Sequence, residues 1–232
     1  MTRPLLILRP EPGNAATAAK AHMIGLLPFC FPVFETSAQP WAVPDPQHYV
    51  GIIMTSANAA RLGGAALARL THLPLYAVGD VTAEAARDVG FSSIITGDGD
   101  VNRLLAHIAT LGLHRLLHLA GEDYQPFNAY GIEIERRIVY ASHVITPSPG
   151  FIEALSKTPV VMLHSARAAS EFSNIVDSAR VERGTISIAV MSENVARAAG
   201  TGWEKCVVAA HPRDGSLLSV AEMLCKHIES DD

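Results

Sequence analysis

The sequence predicts an α/β protein of two domains, each built on a parallel sheet. Three observations predict it. Short apolar runs alternate with alanine-rich helical segments along most of the chain, the pattern of parallel strands covered by helices on both faces. Two segments rich in proline and small polar residues, ETSAQPWAVPDPQHY (35–49) and ASHVITPSPG (141–150), interrupt the alternation and read as neighbouring linkers. The block between them has the size of a typical domain, about a hundred residues, and repeats turn chemistry found again near the C-terminus.

Each element follows from its own residues. LLILRP (5–10) reads as a strand, and 14–25 as a helix closed by Gly25. PFCFPVF (28–34) is a strand that Pro32 confines to an edge or a strand end. In the central block the strands are GIIMT (51–55), LYAVG (75–79), SSIIT (92–96), RLLHLA (115–120) and RRIVYA (136–141). The helices between them span 57–70, 80–90 with Gly90 as cap, 101–111 and 124–133. The rhythm resumes with strands VVMLH (160–164), SIAVM (187–191) and KCVVAA (205–210), and helices over 166–178, 193–199 and 216–228. The N-terminal piece has too few strands to stand alone and completes the sheet of the C-terminal third. The expected layout is a discontinuous domain of 1–35 and 148–232, with 36–144 inserted as the second domain.

Composition excludes several classes. With 232 residues, 49% of them hydrophobic, the chain can bury a large core. No apolar run approaches the roughly 18 residues of a membrane span. MTRPLLILRPEPG lacks a signal-peptide core, so a soluble cytoplasmic protein is expected. Cys30, Cys206 and Cys225 are an odd set without a Cys-x-x-Cys pair, which argues for plain thiols. A net charge of −5 gives no basic footprint for nucleic acid. GDGDVN (97–102) has Asn102 where a dinucleotide fingerprint needs glycine, and reads as a surface turn. Neither a phosphate-binding Gly-x-x-x-x-Gly-Lys nor a Gly-x-Ser-x-Gly elbow occurs. His114 and His118 have the i, i+4 spacing of metal ligands, but on a strand and without a third ligand, so no metal is expected.

One turn occurs twice. IIMTSANAA (52–60) and VMLHSARAA (161–169) each end a strand in small polar residues and start a helix. YAVGDVTAEAARDVG (76–90) and IAVMSENVARAAG (188–200) form a second such pair. Ligands of open α/β sheets bind outside the carboxyl ends of strands. Helix N-termini there present N–H groups and partial positive charge, which suits anions. Two such faces opposed across a cleft would hold a large polyanion. The competing reading is that Ser56 and Ser165 simply cap their helices.

The motifs Arg9-Pro10, MTSANA (54–59), AVGDVTAEAARDVG (77–90), Ala120-Gly121, IVY (138–140), LHSARAASEF (163–172) and AAHP (209–212) resemble, in order and spacing, the uroporphyrinogen-III synthase family over nearly the whole chain. The resemblance implies two flavodoxin-like α/β domains joined by a two-strand linker, with a cleft between them. It implies a monomeric, cytoplasmic, carbon–oxygen lyase without metal or cofactor. Its substrate would be hydroxymethylbilane, handed over by the preceding pathway enzyme, which is dehydrated and cyclised with D-ring inversion. It implies Tyr140 as the group assisting hydroxide departure, against a plain aromatic packed at the hinge. It implies substrate contacts at Arg9, Thr55, Ser56, Asn58, Gly79, Thr82, Gly121, Ser165, Ser192 and Asn194, with Arg167 less central. Where many members carry Gly-x-Thr-Thr-Ala, this chain has Ser192-Glu193-Asn194-Val195-Ala196. Any role of those threonines falls to Ser192 or Asn194. The alternative is a non-catalytic two-domain protein that closes on a polyanionic small molecule; an enzyme of nucleotide or sugar-phosphate metabolism is disfavoured by the missing phosphate loop.

Overall fold

The computed structural model describes residues 3–124 and 126–226. Its elements run β1 (Leu5–Ile7), α1 (Gly13–Met23), β2 (Pro28–Cys30), β3 (Phe34–Ala38), β4 (Gly51–Met54), α2 (Ala57–Leu62), β5 (Leu75–Ala77), α3 (Asp80–Asp88), β6 (Ile94–Thr96), α4 (Val101–Thr110), β7 (Arg115–Gly121), β8 (Glu133–Val144), α5 (Pro149–Leu155), β9 (Val160–Leu163), α6 (Ala166–Ser178), β10 (Ser187–Val190), α7 (Glu193–Ala199), β11 (Lys205–Val208) and α8 (Asp214–Lys226). The chain divides into two compact units, Met1–Glu35 with His143–Asp232, and Thr36–Ser142. It passes from one to the other within β3 and within β8, which are neighbours in one sheet.

In the first unit the sheet order is β11-β10-β9-β1-β2, with every pair parallel. Leu5, Leu6 and Ile7 are fully buried, as are Val160 to Leu163. Consecutive side chains of a strand point to opposite faces, so such runs require helices on both. One face packs on Phe151, Phe172 and Val176, where Phe172 stacks on Trp203 at 5.3 Å between ring centroids. The other packs on Ala21, Leu217, Ala221 and Leu224. In the second unit the order is β3-β8-β7-β4-β5-β6, and β8, β7, β4, β5 and β6 run parallel. Its faces are covered by the α2 and α3 side around Ala59, Leu70 and Ala86, and by the α4 side around Leu104, Leu105 and Ile108. Among the described residues no helix is long and apolar enough to cross a membrane. Cys30 and Cys206 are exposed and Cys225 is buried, all unpaired.

Several elements differ from expectation. The helix expected over 57–70 ends at Leu62, because Gly64 adopts φ 69 and a 3₁₀ turn, Ala65–Arg69, follows. The helix expected over 124–133 does not form; Gln125 lies outside the described residues. Asn128 turns its side-chain oxygen back onto the Tyr130 N–H at 2.9 Å, and Tyr130 (φ 50) and Gly131 (φ 82) are left-handed. β8 begins at once, at Glu133. The first linker contains β3, and the second is absorbed by the end of β8 and by α5. The α5 start follows from Ser148, whose Oγ accepts the Phe151 N–H at 3.2 Å, with Pro149 in the first turn. The expected end of the last helix at Ile228 lies outside the described residues.

Candidate functional site

Because β4, β5, β6, β7 and β8 are parallel, the carboxyl ends of all five lie on one edge of the second unit's sheet. That edge carries seven of the expected residues. Thr55 and Ser56 follow β4, half-buried, and Ser56 Oγ accepts the Asn58 N–H at 3.2 Å as the cap of α2. Gly79 begins α3 with no side-chain cap, and Thr82 is buried in the first turn. Gly121 ends β7 and stands opposite Tyr140 of β8, at a register shift between Ala120 and Gly121. The Tyr140 ring lies across the glycine. A β-carbon at Gly121 would stand 2.6 Å from Tyr140 Cε2 and Cζ and 2.8 Å from its Oη. The Glu122 N–H donates to the Tyr140 carbonyl at 3.0 Å, which fixes the backbone beneath the ring. Tyr140 is half-buried.

Behind this edge lies a polar group whose one member noticed in the sequence, His118, stands out there only for its spacing from His114. His118 is fully buried. Arg136 Nε donates to its Nδ1 at 3.3 Å, and Thr55 Oγ1 lies 3.4 Å from its Nε2. Burial first, and then the Arg136 charge, lower its pKa to about 4. The Arg136 guanidinium lies 3.5 Å over the Tyr124 ring centroid, and Phe127 stands 5.3 Å from the imidazole. His114 is exposed at the other end of the strand, with Nδ1 against the Gly112 carbonyl at 3.3 Å. Four residues of strand separate the two histidines by about 13 Å, too far to share an ion. No group of three or more His, Cys, Asp or Glu among the described residues is arranged to hold a metal.

The first unit presents a corresponding edge. Ser165 caps α6, its Oγ accepting the Ala168 N–H at 3.2 Å. Ser192 begins α7 without a side-chain cap, and Asn194 Oδ1 accepts from Arg197 Nη2 at 3.4 Å. Arg9, two residues past β1, is not a free cation. Its Nη1 donates to Asp214 Oδ1 at 3.2 Å and stands 3.3 Å from Thr17 Oγ1. Asp214 also accepts from Thr17 Oγ1 (2.8 Å), Lys20 Nζ (2.7 Å) and His164 Nε2 (3.2 Å). These bonds, that of His164 foremost, hold the Asp214 carboxyl well below the usual carboxylate range. Burial lowers the pKa of His164. Two permanent cations therefore face one carboxylate. Gly13 permits this: a β-carbon there would meet Arg9 Cζ at 2.6 Å. Arg167 lies over the Phe34 ring at 4.3 Å.

Known proteins resemble this chain in sequence family and in fold. A family model described as "Uroporphyrinogen-III synthase HemD" matches residues 15–219. Among solved structures, the uroporphyrinogen-III synthetase of Helicobacter pylori 26695 is similar at a TM-score of 0.66 and 16% identity, covering 96% of this chain and 99% of that one. A mutant uroporphyrinogen III synthase of Thermus thermophilus is similar at a TM-score of 0.52 and 20% identity, covering 95% and 98%. At these identities the likeness establishes a shared fold. No curated protein matches the chain in sequence.

Proposed function

The chain belongs to the uroporphyrinogen-III synthase family, and from that premise we propose that it is a cofactor-independent hydro-lyase. It takes hydroxymethylbilane, removes its hydroxyl as water, and closes the macrocycle with the D ring inverted. Tyr140 donates a hydrogen bond to the departing oxygen. A phenol is a weak acid at neutral pH, so it acts as a donor and not as a full proton source. The cationic azafulvene left behind is stabilised by oriented dipoles, and a fixed conformation of the linear substrate directs closure.

The carboxylates of the substrate are bound by backbone N–H groups and hydroxyls at the strand ends. Of the helices that the expected residues begin, α3 and α6 have 9 and 13 residues, against 6 in α2 and 7 in α7. Thr55, Ser56, Asn58, Gly79, Thr82 and Gly121 serve one edge, and Arg9, Ser165, Ser192 and Asn194 the other. Lys20 joins Arg9 as a second cation. The protein acts as a cytoplasmic monomer on substrate passed on by the preceding enzyme; light scattering of the eluting species checks the monomer.

The observation that carries this reading is the Tyr140 ring seated on Gly121 at a carboxyl edge shared with Thr55 and Gly79. The test is incubation with freshly prepared hydroxymethylbilane, followed by oxidation and chromatographic separation of the isomers. The type III isomer, formed faster than spontaneous closure, is expected. Only the uninverted type I isomer at the spontaneous rate would refute the assignment and favour a binding protein.

A further inference from the structure

His118 is in register with Ile53 of β4 and Arg136 of β8, on the face otherwise lined by Leu104, Leu105 and Ile108. A fully buried imidazole on an apolar face has to be satisfied, and here both nitrogens have partners. The direction of these bonds is determined. An arginine Nε–H can only donate, so Nδ1 accepts. The neutral ring then carries its proton on Nε2 and gives it to Thr55 Oγ1. One lone pair of the Thr55 oxygen is thereby used, and its own proton is turned away from His118. Arg136 is itself held flat against Tyr124, so the chain Arg136 to His118 to Thr55 has one sense along its length.

We propose that His118 is a positioning residue for substrate binding: anchored by Arg136, it fixes the half-buried Thr55 hydroxyl as a hydrogen-bond donor toward a substrate carboxylate. The inference rests on the reading of this edge as part of the substrate site. An unconstrained threonine hydroxyl rotates between donating and accepting; a constrained one meets an anion without loss of rotor freedom. The arrangement discriminates a carboxylate from an ester or amide at the same place, because an anion rewards a fixed donor most.

Five variants and one spectroscopic measurement test this. Thr55→Val and His118→Leu should each raise KM about three- to tenfold, the worth of one hydrogen bond, with kcat less affected. The double variant should lose no more than Thr55→Val alone, since both act through one hydroxyl. His118→Gln keeps an N–H near the Nε2 position and should recover most of the His118→Leu loss. Unchanged KM in a folded His118→Leu protein, or additive losses in the double variant, overturn the proposal. Should His118→Leu fail to fold, His118→Gln decides alone: a KM as high as that of Thr55→Val overturns it. Independently of activity, nitrogen-15 spectra of histidine-labelled protein should show His118 protonated on Nε2 and bare on Nδ1, with that preference lost in Arg136→Met. The opposite tautomer in the wild type overturns the proposal. A wild-type protein that makes no type III isomer sinks the functional reading instead, while the tautomer still reports on the chain of bonds.

Discussion

Gly121→Ala isolates the placement of Tyr140 from its chemistry. The added methyl would stand 2.6 Å from Tyr140 Cε2 and Cζ, against an optimum of about 3.5–4.0 Å between carbons. The shortfall is about 1 Å. Gly121 is not among the glycines with positive φ, so alanine meets no backbone strain, and it gains about 0.4–1 kcal/mol by restricting the unfolded chain. Overpacking ordinarily costs about 1–3 kcal/mol. Here the atoms struck belong to the far end of a side chain and not to backbone, so the ring swings aside and the cost falls at the low end. The two terms nearly cancel, and the midpoint of unfolding should shift little. Activity should not be spared, because a 1 Å misplacement in a site can cost about 10²-fold. The assay is turnover to the type III isomer, corrected for spontaneous type I, with thermal unfolding followed in parallel. In a Tyr140→Phe background the same alanine should cost little more, since both changes act through one phenol. Full turnover in a well-folded Gly121→Ala protein would refute the reasoning and return Tyr140 to packing.

Tyr140→Phe itself removes a hydroxyl and almost no volume; turnover should fall roughly ten- to a hundredfold, the low end of acid assistance, with unfolding unchanged. His118 is neutral in the fold with a pKa of about 4 against 6.5 when free. Its depressed value contributes stability above pH 6.5 that is lost as pH falls toward 4, about 3 kcal/mol in all; urea melts across that window should show the slope, and His118→Leu should flatten it. Ser165→Ala deprives α6 of its cap and should lower stability by about 1 kcal/mol, read as a lower melting temperature. EDTA should leave turnover intact; activity lost to chelation and restored by zinc would contradict the donor geometry around His114 and His118.

What is legible in the sequence is what local pattern encodes. LLI, VVML and the IAV of β10 are apolar without alternation, and only strands buried on both faces need that. Ser56, Asp100, Ser148 and Ser165 cap helices with their own side chains, and this too is local chemistry. Ser148-Pro149 carries the usual signature of a helix start, but the prolines around it read as linker and mask it. The segment from Tyr124 misleads in the other direction: Asn128 and the Tyr130-Gly131 pair form a turn whose geometry depends on a side chain bonding its own backbone. The partner of Arg9 has no local signal, because Asp214 is 205 positions away. His118 stands out in the sequence only for its spacing from His114. Its actual partners come from neighbouring strands, and strand order is a property of the fold.

The charge pattern bears on how a chain of net charge −5 can bind a polycarboxylate. Net charge governs long-range attraction, and beyond about 8 Å in physiological salt that attraction is screened. Binding is decided closer in. At the edge of the first unit, Arg9 and Lys20 are held by Asp214, yet their charge is not wasted. A lone carboxylate against two permanent cations leaves one positive charge over. It also removes the rotamer entropy that two long side chains would otherwise lose on meeting a ligand. His164, neutral because buried, donates to the same carboxylate without adding charge. At the edge of the second unit the exposed Arg103 is paired with Asp98, and the expected contacts are hydroxyls, an amide and backbone N–H groups. Arg136 is turned inward onto His118 and Tyr124, and in the proposal above it acts on a ligand only through the direction of the Thr55 hydroxyl. On the reading proposed above, each edge uses buried or paired charge to orient donors, and recognition then depends on geometry at contact distance and not on the sign of the whole protein.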